Sequence, residues 1–200
     1  MTKVITPLEI NELVEAIQKD KVVAFPTETV YGLGVKFNSR VALDQLMEAK
    51  NRDYSKAITL MVSKKEDIKQ YAYVSNDASR IIDAFMPGMI TLVFKKKECV
   101  DPVMTNGKDT IGIRIPDNEF VLKLLEKAGP MLVTSANLSN HSNTTTTEEV
   151  LDQLDGRIDY VVEGKTTDSI ASTVVDVSGD EVKILREGKI TLKMIEEVLK

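Results

Sequence analysis

Phe25-Pro26-Thr27-Glu28-Thr29-Val30-Tyr31-Gly32-Leu33-Gly34, preceded by the apolar run Val22-Val23-Ala24, reads as a strand running into a loop. Proline removes a backbone donor and closes the ladder, and glycine permits backbone geometry closed to other residues. Ordinary turns favour Asn, Asp, Gly and Pro, whereas this segment keeps β-branched residues, hydroxyls, a carboxylate and a Tyr together. Two readings follow: a buried, Thr-rich strand end capped by glycines, or a strand end aimed at a ligand.

Outward from this stretch, helical and extended patterns alternate. Upstream, Thr6-Pro7-Leu8-Glu9 supplies a capping hydroxyl, a proline for the first helical position and a Glu three residues after the cap. Ile10, Leu13, Val14 and Ile17 then recur at helical spacing. Downstream, Asn38 or Ser39 caps a helix with Val41, Leu43, Leu46 and Met47, running to about Lys50. Ala57 to Val62 is a short apolar run, read as a strand buried on both faces. Ser63 to Glu66 is a second capping-box pattern, and a helix starting near Ser75 stops at Met86-Pro87-Gly88. Strands are expected at Met89 to Phe94, Thr110 to Ile115, Met131 to Thr134 and Tyr160 to Val162, with a hairpin joining Thr173 to Val177 and Val182 to Leu185. Helices carrying Leu124 and Leu125, then Val150 and Leu151 behind Thr146, and a last one capped by Thr191 complete the chain. The alternation predicts an α/β fold with a mixed sheet.

The 200 residues fit one domain over 1–200, and 42% hydrophobic with 28% charged residues is the balance of a globular chain. A formal net charge of -5 argues against a protein that coats nucleic acid nonspecifically. The single cysteine, Cys99, rules out an internal disulfide, and one Cys with one His excludes a Cys/His zinc site, so no protein-borne metal is expected. Met1 to Asp20 lacks a signal-peptide pattern, and no stretch reaches the roughly 18 apolar residues of a membrane span, which points to the cytoplasm.

Four strand ends carry polar groups: Thr27 to Tyr31, Arg114, Thr134 to Asn137, and Ser172 with Thr173. Open α/β sheets bind ligands outside strand carboxyl ends, so the site is expected there, although Ser172 and Thr173 fit a strand start as well. Lys50, Arg52 and Lys56 are cations at a helix end, suited to the macrodipole or to a polyphosphate. Arg114 lies in an apolar strand and needs an anionic partner, either a buried Asp or Glu or a substrate carboxylate. The phosphate-loop and dinucleotide fingerprints are missing, and His141 sits in a polar loop unsuited to a triad.

Taken in order, the Phe25 to Gly34 stretch, Lys50-Asn51-Arg52, Pro87 to Val93, Gly112-Ile113-Arg114-Ile115-Pro116, Thr134 to Ser139, Ser172 to Asp176 and Leu185-Arg186-Glu187-Gly188 resemble the YrdC/TsaC-like L-threonylcarbamoyladenylate synthases, in their short, single-domain form. The resemblance implies a twisted mixed sheet with flanking helices and a concave, positively charged cavity. It implies a nucleotidyltransferase that converts L-threonine, bicarbonate or carbon dioxide, and ATP to threonylcarbamoyl-AMP and pyrophosphate. The product would serve tRNA modification through separate transfer proteins. By motif position, Thr29, Arg114, Thr134 and Ser172 would hold threonine, and Lys50, Arg52, Lys56, Thr110, the Ala136 backbone, Thr144 and Arg186 would contact ATP. Lys50 and Arg52 would stabilise the transition state, with magnesium arriving on ATP and no tightly bound cofactor. Two positions depart from the pattern: Met61 stands where some relatives carry a His, and Lys56-Ala57 replaces a commoner Asn-Pro or Lys-Pro pair. The alternative function is a non-catalytic module that binds double-stranded RNA.

Overall fold

In the computed structural model, which describes residues 1–51, 53 and 57–200, the opening stretch is two strands and the loop between them. β2 (Val23–Phe25) pairs antiparallel with β3 (Gly32–Lys36), Phe25 lying opposite Gly32 and Val23 opposite Gly34. The glycines therefore stand inside a strand, which corrects the expectation that they cap a loop. Packing demands them. A Cβ on Gly34 would lie 2.8 Å from the Met131 methyl and 2.9 Å from the Phe25 ring, and one on Gly32 would lie 3.1 Å from both Phe25 and Val133. Phe25 is fully buried and fills the space that the two missing side chains leave. Gly34→Ala is expected to destabilise the fold by about 1–3 kcal/mol through overpacking. Chemical denaturation measures this, and an unchanged midpoint would show that Phe25 and Met131 yield freely.

The remaining strands are β1 (Lys3–Ile5), β4 (Thr59–Met61), β5 (Ile90–Lys95), β6 (Thr110–Arg114), β7 (Met131–Ser135), β8 (Tyr160–Val162), β9 (Thr173–Asp176) and β10 (Lys183–Arg186). They form one mixed sheet in the order β1-β8-β2-β3-β7-β4-β6-β5-β9-β10. The helices are α1 (Ile10–Gln18), α2 (Arg40–Ala49), α3 (Lys65–Tyr71), α4 (Asn76–Phe85), α5 (Glu119–Ala128), α6 (Thr147–Leu154) and α7 (Leu192–Leu199). Ser39, Ser75, Thr146 and Thr191 each accept a backbone N–H at a helix start. The Thr6 box closes with the Thr6 N–H donating to Glu9 at 2.8 Å, but a 3-10 turn, Pro7–Glu9, precedes α1. The Ser63 box does not form: the cap position of α3 falls one residue later, on Lys64, which makes no side-chain cap. Among the described residues no helix is long and apolar enough to cross a membrane.

Alternation along the strands sorts the core into two layers. Leu60, Leu92, Ile111, Ile113 and Val175 face one cluster, with Leu43 and Leu46 of α2, Ile81 of α4 and Ile195 of α7. Val23, Phe25, Met131, Val133 and Val162 face the other, with Leu13 and Ile17 of α1 and Val121, Leu124 and Leu125 of α5. α1 and α5 pack on this second face with residues of β1, β8, β2 and β7. Beyond them, across β4, β6, β5 and β9, the same face presents Thr59, Met61, Gly112, Arg114, Thr91 and Asp176 to a cavity.

Candidate active site

The cavity has a volume of about 410 Å³, within the usual range for small-molecule sites. The sheet face is its floor, and the loop between β2 and β3 brings Thr27, Thr29, Val30 and Tyr31 to its wall. The cavity lies across the sheet face and takes in all four strand ends expected from the sequence, through Thr27 to Tyr31, Arg114, Thr134 with Ser135, and Ser172, the last of these at a strand start. Mixed strand directions bring them together. β6 runs antiparallel to β5 and β5 parallel to β9, so the end of β6 at Arg114 and the start of β9 after Ser172 share one edge.

Hydroxyl protons in the loop have one consistent assignment. Thr27 Oγ1 donates to the Val30 carbonyl at 2.8 Å and accepts the Thr29 N–H at 3.0 Å. Its proton is therefore committed, so the 2.9 Å contact between the two hydroxyls has Thr29 as donor. Thr29 Oγ1 also accepts from Arg114 Nη2 at 3.1 Å. Toward a ligand, Thr29 is an acceptor suited to an amine N–H.

Arg114 resolves one alternative left open above: it has a protein carboxylate. Its Nη2 donates to Glu28 Oε1 at 2.7 Å, with side chains only 7% and 10% exposed. The same oxygen accepts the Asp117 N–H at 2.9 Å. Both Nη2 protons are engaged inside the protein and Nε is buried, so Nη1 is what Arg114 offers the cavity. Across the floor, Ser172 Oγ lies 3.1 Å from Thr91 Oγ1, and the Ser172 carbonyl accepts Arg186 Nε at 3.0 Å and Nη2 at 2.8 Å. Burial, and secondarily the positive charge of Arg114, lowers the Arg186 pKa from its ordinary value. Two guanidiniums thus share one cavity.

Behind this lining stands a scaffold. Lys50 caps α2, is fully buried, and donates its ammonium protons to the Ser135 and Asn137 carbonyls. Its own carbonyl accepts the Ser139 N–H at 3.0 Å. The Ala136 N–H donates to the Tyr31 carbonyl, and the Ala136 carbonyl accepts the Thr144 hydroxyl, both at 2.8 Å. The Tyr31 phenol donates to the Val162 carbonyl at 3.0 Å and contacts Thr147 Oγ1 at 3.0 Å, and burial pushes its pKa up to about 12.

Of the residues expected to bind threonine, Thr29, Arg114, Thr134 and Ser172 all line the cavity. Of those expected at ATP, Thr110 and Arg186 line it, while Lys50, Ala136 and Thr144 lie behind the wall. The Ala136 N–H is committed to the Tyr31 carbonyl and its carbonyl accepts the Thr144 hydroxyl, so this backbone serves as scaffold in the structure. Arg52 and Lys56 lie outside the described residues. Met61 lines the floor as an apolar surface, and His141 is exposed in its loop. Sequence reasoning missed Thr91, Lys108 and Asp176 in the lining, and Glu28 as the partner of Arg114. The signal for Glu28 was present: it is the sole acid between Phe25 and Gly34.

A sequence model for the family Sua5/YciO/YrdC, described as telomere recombination, matches residues 15–188. A Methanocaldococcus jannaschii protein provisionally named threonylcarbamoyl-AMP synthase is 33% identical, over 96% of this chain and 96% of its own length. The structure of Pyrococcus abyssi Sua5 complexed with L-threonine superposes with a TM-score of 0.95 at 33% identity, covering 99% of this chain and 61% of that one. Escherichia coli YciO superposes with a TM-score of 0.90 at 28% identity, covering 98% and 100%.

Proposed function

Because the chain belongs to the Sua5/YciO/YrdC family, we propose that it joins L-threonine, bicarbonate or carbon dioxide, and ATP into threonylcarbamoyl-AMP, releasing pyrophosphate. The observation that carries this reading is the convergence of Thr29, Arg114, Thr134 and Ser172 on one cavity, in a fold shared with a relative that holds L-threonine. A threonine carboxylate meets the Arg114 guanidinium, and the amine donates to Thr29, whose remaining capacity is that of an acceptor.

The threonine amine attacks carbon dioxide to form a carbamate and loses a proton. A carbamate oxygen then attacks the α-phosphorus in line, and pyrophosphate leaves. Charge stays on phosphate oxygens throughout, so the protein's task is positioning and electrostatic stabilisation rather than nucleophilic catalysis. Arg186 at the cavity, with Arg52 and Lys56 from the segment after α2, supplies cations, and Thr110 donates a hydroxyl. Lys50 contributes by holding the Ser135 to Ser139 loop. Magnesium enters with ATP. The reaction is a nucleotidyl transfer, and its mixed anhydride product passes to proteins that acylate tRNA.

Pyrophosphate release from ATP and bicarbonate, measured with and without L-threonine, tests the proposal. Release that rises at least about tenfold with threonine supports it, since only capture of the amino acid generates the attacking oxygen. Equal release in both, from folded protein, overturns it.

A further inference from the structure

Glu28 is absent from the cavity lining, yet it joins three segments around Arg114. Its carboxylate oxygen Oε1 binds Arg114 Nη2 at 2.7 Å and the Asp117 N–H at 2.9 Å, just beyond the end of β6. Its backbone carbonyl accepts the Thr167 hydroxyl at 3.0 Å, from the segment between β8 and β9 that leads to Ser172. Glu28 Oε2 and Arg114 Nε are both buried without a hydrogen-bond partner among the described residues. A pair buried at that expense stabilises the fold little, and an apolar pair of like volume would serve packing better.

We infer that Glu28 is a positioning and specificity-determining residue, acting through Arg114, that tunes the cavity to a zwitterionic amino acid instead of a simple anion. This rests on the threonine reading above and deepens it. Arg114, Arg186 and Lys108 line the cavity against the carboxylate of Asp176, and without Glu28 this excess of positive charge favours any carboxylate or phosphate and repels an ammonium. Glu28 cancels one positive charge from behind, where it cannot obstruct the ligand. The carboxylate of threonine still finds donors on Arg114, and its ammonium meets Thr29 in a less positive field. Glu28 also prevents the guanidinium from swinging, because Nη2 is held on two sides by Glu28 and Thr29.

The test compares dissociation constants, by calorimetry, for L-threonine and for (R)-3-hydroxybutyrate, the same molecule without its amine. In Glu28→Gln, threonine binding is expected to weaken at least about tenfold, while 3-hydroxybutyrate holds within about twofold or tightens. Parallel loss of both ligands reduces Glu28 to a structural prop and overturns the inference, as does no change in either. Should Glu28→Gln fail to fold, Glu28→Asp decides. It keeps the charge, so the ratio of the two constants is expected to stay within about twofold of wild type even if both weaken, and a ratio that collapses toward the anion overturns the assignment. Wild-type protein that binds no threonine overturns the underlying reading and this inference with it. Wild-type binding with parallel loss in the variant overturns the inference alone.

Discussion

Arg114→Ala is expected to reduce threonine-dependent pyrophosphate release, as kcat/KM for threonine, by at least about 100-fold while the KM for ATP changes little. The guanidinium lines the cavity and is, in the proposed function, the charged donor for the amino acid carboxylate, and charge-assisted hydrogen bonds to a desolvated anion are worth about 1.5–3 kcal/mol each. The substitution also strands Glu28, a buried carboxylate whose cationic partner is gone, which costs about 3–5 kcal/mol of stability. The two effects separate in the double variant Glu28→Met/Arg114→Met. An apolar pair of similar volume returns much of the denaturation midpoint and none of the threonine use. Unchanged threonine affinity in Arg114→Ala would show that the carboxylate binds elsewhere.

Lys50→Met is expected to lower stability by about 2–5 kcal/mol and to suppress turnover with it. The fully buried ammonium satisfies the Ser135 and Asn137 carbonyls, and methionine takes this donor from both acceptors at about 1–3 kcal/mol each. The loop it holds carries Ala136, whose amide ties β7 to Tyr31, so the damage should reach the cavity wall. Hydrogen exchange is the discriminating measurement: protection at Ala136 and Ser139 should fall in Lys50→Met. Retained protection with only a raised KM for ATP would return Lys50 to the role of phosphate ligand.

How much of this could be read in advance depended on the range of the interaction. Helix starts at Ser39, Ser75, Thr146 and Thr191 were legible because a cap is a local hydrogen bond within four residues. β4 and β6 were legible as apolar runs, and the hairpin of β9 and β10 by its turn. β1 was not: Lys3-Val4-Ile5 has two exposed residues of three and acquires its structure only by pairing with β8. β3 was mistaken for a loop because its glycines answer to Phe25 and Met131 across the sheet, a demand that no local pattern expresses. Ser63 failed as a cap because the hydroxyl lay one residue too early. In the site, Thr29, Arg114, Thr134 and Ser172 were recognisable by motif, and the pairing of Arg114 with a buried acid was one of two options that the sequence left open. Which acid it was, and which backbone amides were already committed, needed the fold.

The neighbours of β2 and β1 carry a consequence for how the chain is made. β8 lies between them, so that Lys3 pairs with Tyr160 and Val23 with Tyr160 on its other side. On a ribosome the N-terminal strands emerge long before this partner exists, and the sheet half that holds Phe25 cannot close until translation has passed residue 162. Non-local pairing of this kind slows folding and leaves strand edges bare in the interval. Nascent chains halted before β8 should therefore be the protease-sensitive, aggregation-prone form of this protein, and those extended past α7 and clear of the exit tunnel the first to resist digestion.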